Sequence, residues 1–440
     1  MFETSTITGE HIHALVSELF PIHRSITGNG VRASLEIIKR ELPGLVIHEV
    51  PTGTACFDWT VPNEWNIRDA YILDPNGDKI VDFNESNLHV VAYSMPIDRI
   101  VSLEQLQQHL HSYPEQPDAV PYVTSFYEER WGFCISENQR CALKPGDYRV
   151  VIDSTLESGS LTYGELVVPG ETASEILVST YICHPAMANN ELSGPCVTTF
   201  LAKWVLGQTA LKYTYRFVFK PETIGTLVYL SRNLDHLKQN VRAAFNVSCV
   251  GDDRTYSFMP SRDGQTLSDR VALHVLKNNH PEFKSYSFQR DRGSDERQYC
   301  WPGIDLPVTS VMRTKYGEFP EYHTSSDNLD LVTPAGLLGG FEVLRQCFIC
   351  LEKNVVVQST TLGEPQLGKR NLYPTLSDAS STLGPGNIIH LLAYGDGTRD
   401  LIGLADLLEV AVWDIFDLVD LLERHKLVSI RHPTDNGDLK

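Results

Sequence analysis

Residues 179–194 read STYICHPAMANNELSG, and the fold turns on what this stretch does. The apolar run Ile176-Leu177-Val178 before it reads as a buried strand, which the chain leaves at Cys183-His184-Pro185. A histidine just past a buried strand stands where open α/β sheets gather their ligand-binding groups. Asn189, Asn190 and Glu191 follow, and Ser193-Gly194 opens an apolar stretch ending near Trp204. A metal bound here would need His184 and one of the side chains at 189–191.

Working outward, EILVST, YRFVFK, AAFNVSCV and LPVTSVM read as strands, separated by helices such as SGPCVTTFLAKWVL and SDRVALHVLKNN. That alternation is α/β. Residues 10–50 give helix, loop, helix and strand, with apolar positions at helical spacing in GEHIHALVSELFPI and VRASLEIIKREL and an alternating LVIHEV. From Cys56 to about GDYRVVIDS the texture changes to aromatics, prolines and the short runs AYILD, LHVVAYS and RVVID. Turn signals such as DPNGD separate these runs, and one helical piece, SLEQLQQHLHSY, interrupts them. At 440 residues the chain exceeds one ordinary core. The expected arrangement is an α/β domain from 1–55 and 160–355, with 56–159 inserted as a mostly-β domain. After the turn-rich STLGPG, residues 366–440 hold helical periods with short connections, the spacing of a winged helix.

Composition excludes several function classes. The net charge of −19 argues against bulk nucleic-acid binding, which depends on Lys and Arg neutralising phosphates, and against anionic membranes. Residues 366–440 carry 7 Lys+Arg against 11 Asp+Glu, so packing or homo-oligomer formation is expected of the winged helix rather than DNA binding. No run approaches the roughly 20 apolar residues of a membrane span. The N-terminus lacks a basic segment followed by an apolar one. Nine cysteines, mostly within apolar runs, read as buried thiols, and a cytoplasmic protein is expected. Cys347 and Cys350 have metal-ligand spacing but lie in an apolar helical stretch with no second pair, which reads as core.

Four stretches carry polar or ionisable groups at the end of an expected strand: CHPAMANNELSG, FKPETIG, VGDDR and PEYHTSSDNLD. Together they define a candidate site at one sheet edge. Glu222, after YRFVFK, could take a proton from a metal-bound water. His323 could join His184 on a zinc ion, with a carboxylate as third ligand. Asp327 could orient an imidazole or cap the following helix. Charge-dense FQRDRGSDERQYC supplies Arg292 and Arg297, which with the nearby Arg313 could bind an anionic substrate group, and Asp295 and Tyr322 are further substrate-binding candidates. The aromatics Trp59, Trp65, Tyr127 and Trp131 could stack on sugars but read first as core.

In this order the residues resemble the zinc-dependent aminopeptidase fold of the di-zinc exopeptidases. More closely they resemble a bacterial family of aminopeptidase-like proteins of uncertain function. The resemblance runs through HRSITGNGVR, FDWTVPNEW, VPYVTSFYEERWGFC, STYICHPAMANNELSG, KPETIG, GSDERQYCWPG, PEYHTSSDNLD and GKRNLYPT. It implies a zinc-exopeptidase-like mixed sheet with flanking helices, an embedded small β domain and a C-terminal winged helix. It also implies a link to carbohydrate or natural-product biosynthesis.

Position by position, His184 matches the first histidine ligand, His323 the last and Glu222 the general base. The bridging aspartate falls at Asn190, the second glutamate at Thr223, and the further aspartate near Ser248. Two metals therefore lack the negative charge to hold them. The expectation is one zinc, held by His184, His323 and either Asn190 or, preferably, Glu191. The expected activity is hydrolysis of an amide bond in a small-molecule or short aminoacyl substrate. The rivals are a peptidase fold retired to binding or scaffolding, and a winged-helix regulator.

Overall fold

The computed structural model describes residues 6–372 and 385–433. Parts of STLGPG and GKRNLYPT, read above as a turn and as a resemblance motif, lie outside the described residues. The main sheet has eight strands in the order Val46–Pro51, Ser160–Val168, Thr214–Lys220, Glu175–Tyr181, Val241–Asn246, Val308–Met312, Ser257–Met259, Lys284–Ser285. Its four central strands, from Thr214–Lys220 to Val308–Met312, run parallel and join the flanking strands by antiparallel pairing, while the edge strand Lys284–Ser285 pairs parallel with Ser257–Met259.

Both faces of this sheet are covered, so the central strand Glu175–Tyr181 is buried at every position. Strand periodicity sends Ile176 and Val178 to one face and Leu177 to the other. The first face packs against the helices Gly9–Leu19, Asn29–Glu41, Ser193–Leu206 and Pro334–Lys353, through Val16, Leu35, Leu201 and Phe348. The second packs against the helix Ile224–Asn240, through Leu227 and Leu230, and continues into the inserted domain at Trp65 and Val150. The helix Pro334–Lys353 is long and apolar enough by composition to cross a membrane, yet it carries Leu344, Cys347 and Cys350 into this core.

The inserted segment builds a four-stranded antiparallel sheet, ordered Lys79–Asp82, Glu64–Leu73, Asp147–Glu157, Ile97–Ser102. LHVVAYS, expected to alternate as a strand, is instead a short helical turn at Asn87–His89 followed by irregular chain. Tyr93 adopts left-handed backbone there (φ 68°), which no ladder accommodates. The helical piece is also shorter than expected. Ser102 and Gln105 cap a single turn, Leu103–Gln107, before Leu110–His111 pairs with Phe133–Cys134. The inserted domain docks back on the main domain where Tyr122 N–H donates to His323 O at 2.8 Å and Ser325 N–H to Val120 O at 2.8 Å.

The C-terminal winged helix has helices Pro385–Tyr394, Leu401–Leu407 and Phe416–Arg424 and a three-stranded sheet. The central strand of that sheet is Val356–Ser359, which directly follows the long core helix. Phe416–Arg424 exposes Asp417, Asp420, Glu423 and Arg424, a net acidic face. The unit is fastened to the helix Leu267–Asn279 by buried His274. Its Nδ1 lies 2.6 Å from Asp406 Oδ1, and its Nε2 accepts Val412 N–H at 2.8 Å.

Candidate active site

Tyr181 and Lys220 are register partners on adjacent parallel strands, so the chain leaves the sheet there twice, side by side. His184 and Glu222 follow within three residues of those ends, which brings His184 Nε2 to 3.8 Å from Glu222 Oε2. The helix after His184 can begin this close to the sheet because residue 194 is glycine. A Cβ there would lie 2.5 Å from Val247 O and 2.7 Å from Thr180 Oγ1. His323 arrives on a loop in left-handed backbone (φ 57°). Its ring centroid lies 5.5 Å from that of His184, and Tyr122 packs against both imidazoles at 5.1 and 5.3 Å.

Glu191 stands behind His184 rather than on the cavity. Residues Ala188–Leu192 form a wide π turn, and it directs Glu191 back under the strand end. Glu191 Oε2 lies 2.7 Å from His184 Nδ1, and Oε1 accepts the backbone N–H of Cys183. Arg24 Nε lies 3.9 Å from Glu191 Oε1, with both side chains wholly buried. Arg24 also donates to His184 O at 3.1 Å and Leu19 O at 2.7 Å. Asn190 is turned elsewhere, its Oδ1 accepting the Tyr181 hydroxyl at 3.1 Å. Asp327 orients no imidazole. It accepts the backbone N–H groups of Asn189 and Asn190 at 2.6 and 2.9 Å, holding the π turn, and burial pushes it up to about 7.

Electrostatics separate the two imidazoles. Burial opposes a charge on His184, but Cys183 and Glu191 outweigh it and push the group well above its ordinary value. Burial, then repulsion from His184, brings His323 down to about 3. Burial and the nearby Asp295 charge raise Glu222 to about 7, against the pull of His184, Arg297 and Lys220.

These positions decide how a metal would fit. Cys183, His184 and Glu191 place potential ligand atoms within 4.8 Å of one another. The 2.7 Å contact at Nδ1, however, is a hydrogen-bond length, shorter than the roughly 3.3 Å between two donors on one tetrahedral zinc. The Arg24 cation stands beside it. On that face Glu191 and Arg24 orient His184. On the opposite face, His184 Nε2 looks toward Glu222, and His323 Nε2 is buried with no protein partner among the described residues. Two imidazole nitrogens facing a carboxylate suit one hydrolytic zinc. Beyond Glu222 no carboxylate lines this cavity to balance a second ion.

The cavity at this face is about 370 Å³. His184, Glu222, Thr223 and His323 line one side, and Trp59, Tyr122, Phe126 and Tyr127 of the inserted domain line the other. Of the expected substrate residues, Tyr322 stacks on His323 with centroids 3.9 Å apart, and Arg297 reaches the wall through Thr223 Oγ1 at 2.8 Å. Arg292 is exposed and spends its guanidinium on the carbonyls of Phe288 and Gln289, closing its own short helix. Asp295 is buried, paired with Lys220 and accepting Thr223 N–H at 2.8 Å, so it holds the turn after Glu222 instead of a substrate. Arg313 lies over Tyr256 with its Nε on Thr255 O, and it does not line the cavity. Trp65 is core, but Trp59 and Tyr127 are exposed at the cavity mouth. Sequence reasoning missed Arg24 and Tyr122. The signal for Arg24 was a charged residue set between an apolar helix and a glycine turn in PIHRSITGNG.

The fold and the placing of these strand-end groups define the chain as aminopeptidase-like. Its structure superposes on BSAP, a zinc aminopeptidase from Bacillus subtilis, with a TM-score of 0.57 at 12% identity, covering 78% of this chain and 95% of that one. The chain belongs to the family described as a domain of unknown function, DUF4910, which it matches over residues 13–354, and residues 354–430 match a winged helix-turn-helix. A relative from Clostridium acetobutylicum is 44% identical over 405 residues, 92% of each chain, and is described provisionally as a polysaccharide biosynthesis protein with an aminopeptidase-like domain. A crystal structure from the same organism, described provisionally as a peptidase, superposes with a TM-score of 0.89 at 42% identity over 96% of each chain.

Proposed function

We propose that this protein is a mononuclear zinc amide hydrolase. The observation that carries the reading is the convergence on one cavity of His184 Nε2, Glu222 and His323 Nε2, which has no protein partner among the described residues. His184 and His323 would hold the ion. Bound zinc supplies a water of lowered pKa and polarises the amide carbonyl. Glu222, on the cavity wall 3.8 Å from His184 Nε2, would serve as the general base, and burial with the nearby Asp295 charge raises it from the ordinary carboxylate range toward neutrality. Glu191 and Arg24 fix the tautomer and direction of His184. Arg297, through Thr223, steadies the wall beside the base. The description of the Clostridium relative supports a place in carbohydrate biosynthesis, and nine free thiols support a reducing, cytoplasmic setting.

Zinc-loaded protein should hydrolyse N-acyl amides, and chelator should stop it reversibly. A second reading, a retired peptidase fold used for binding, is favoured by the uncharged Asn190, Thr223 and Ser248. It requires that no zinc binds and that His184→Ala leaves ligand binding unchanged.

A further inference from the structure

The inserted domain presents an aromatic mouth to the cavity. Trp59 and Tyr127 are 41% and 51% exposed although each is a large ring lining a pocket. Their rings meet edge to face at 5.6 Å, and Tyr127 O–H donates to Thr60 O at 3.3 Å. That contact ties Tyr127 to the short hairpin carrying Trp59. Tyr127 and Phe57 both hold left-handed backbone, at φ 64° and 56°. Non-glycine residues in this region cost energy and cluster at ligand clamps. The Trp59 indole N–H has no protein partner among the described residues, so the mouth offers a ring face and a donor together.

The charge of the cavity narrows what can enter. Among the lining residues Glu222 is the sole carboxylate, and Arg297 stands close enough to pull on its charge. A free α-ammonium needs carboxylates to replace its water. No second carboxylate lines the cavity, and Glu222 is committed to the reacting water in the amide-hydrolase reading. An uncharged amide carries no such cost. A pyranose ring adds a face of weakly positive C–H bonds that suits the electron-rich face of an indole, and a polar rim for the indole N–H.

We propose that the cavity recognises a neutral N-acylated amino sugar, its ring stacked on Trp59 and its amide directed toward Glu222, and that it rejects free amino termini. This rests on the amide-hydrolase reading for its orientation, but binding can be measured without turnover.

The test is calorimetric titration of the full-length protein with four probes at pH 7: N-acetylglucosamine, glucosamine, alanyl-alanine and N-acetylphenylalanine methylamide. N-acetylglucosamine should bind saturably and more tightly than the other three. Trp59→Ala should weaken it roughly 3- to 10-fold, the worth of one ring contact, while Trp59→Phe keeps most of the affinity. An unchanged melting temperature in both variants shows the fold is kept, as an exposed position allows. Equal or tighter binding of glucosamine or alanyl-alanine overturns the charge argument. Tighter binding of the phenylalanine amide, or no effect of Trp59→Ala, overturns the sugar assignment. Sugar binding without hydrolysis by zinc-loaded protein would sink the hydrolase reading and leave this one standing.

Discussion

His184 Nδ1 lies 2.7 Å from Glu191 Oε2, and the same carboxylate lies 3.9 Å from the buried guanidinium of Arg24. The imidazole is therefore fixed from behind, with Nε2 committed to the cavity. A carboxylate behind a ligating histidine sets its tautomer and raises its basicity. Glu191→Gln should lower zinc affinity by roughly 10- to 100-fold, measured by competition with a chromophoric chelator. Glu191→Ala should in addition lose about 3–5 kcal/mol of stability, since Arg24 is left buried without its counter-charge. Unchanged zinc affinity in the Gln variant would remove Glu191 from the site.

Glu222 has a different place, on the cavity wall and 3.8 Å from His184 Nε2. Glu222→Gln should keep its zinc and lose roughly 100- to 10,000-fold in kcat, the range for removing a general base. Loss of zinc in step with turnover would make Glu222 a ligand.

Lys220 and Asp295 are both fully buried and paired, at the turn that carries Glu222. Lys220→Met should cost about 3–5 kcal/mol in denaturant unfolding, because the Asp295 charge remains in the interior. A Lys220→Met, Asp295→Leu double variant should recover much of that. Equal losses in the single and double variants would show that the pair acts through packing.

Arg32 ties the second helix to both domains, at 2.6 Å from Glu49 and from Glu64. The Arg32 hydrogen bond draws Glu64 from an ordinary 4.5 down to about 2, and lowers Glu49 as well. A carboxylate depressed by folding stabilises above its unfolded value and loses that contribution as pH falls through its folded one. Stability should therefore decline between about pH 4.5 and about 2. Arg32→Ala should flatten the decline, as read from melting temperature against pH. An identical slope in the variant would assign the acid transition to other carboxylates.

Much of this was legible in the sequence. His184 and Glu222 were placed together at one sheet edge because strand periodicity marks where a strand ends, and the structure brings the loop residue His323 to the same cavity. The parallel strands around them were equally readable, since Ile176 and Val178 on one strand and Tyr215, Phe217 and Phe219 on the next repeat at strand spacing. The direction of Glu191 was not legible, because spacing gives order along the chain but not rotation, and a π turn places it behind His184. The role of Arg24 was not legible because the two partners that tie it to the site, His184 O and Glu191, lie 160 or more residues away. Asp295 and Arg292 looked alike in one charged run, and only burial separates a structural counter-ion from a solvated cap. Trp59 and Trp65 likewise share a segment, yet one lines the cavity and the other fills the core.

The most direct test is zinc stoichiometry in full-length protein stripped with chelator, reloaded and freed of excess metal, beside a His184→Ala control. One zinc per chain, lost in the control, is the expected result. Two zinc ions per chain would contradict the single-site geometry. No zinc would contradict the hydrolase and leave the retired peptidase fold as the reading.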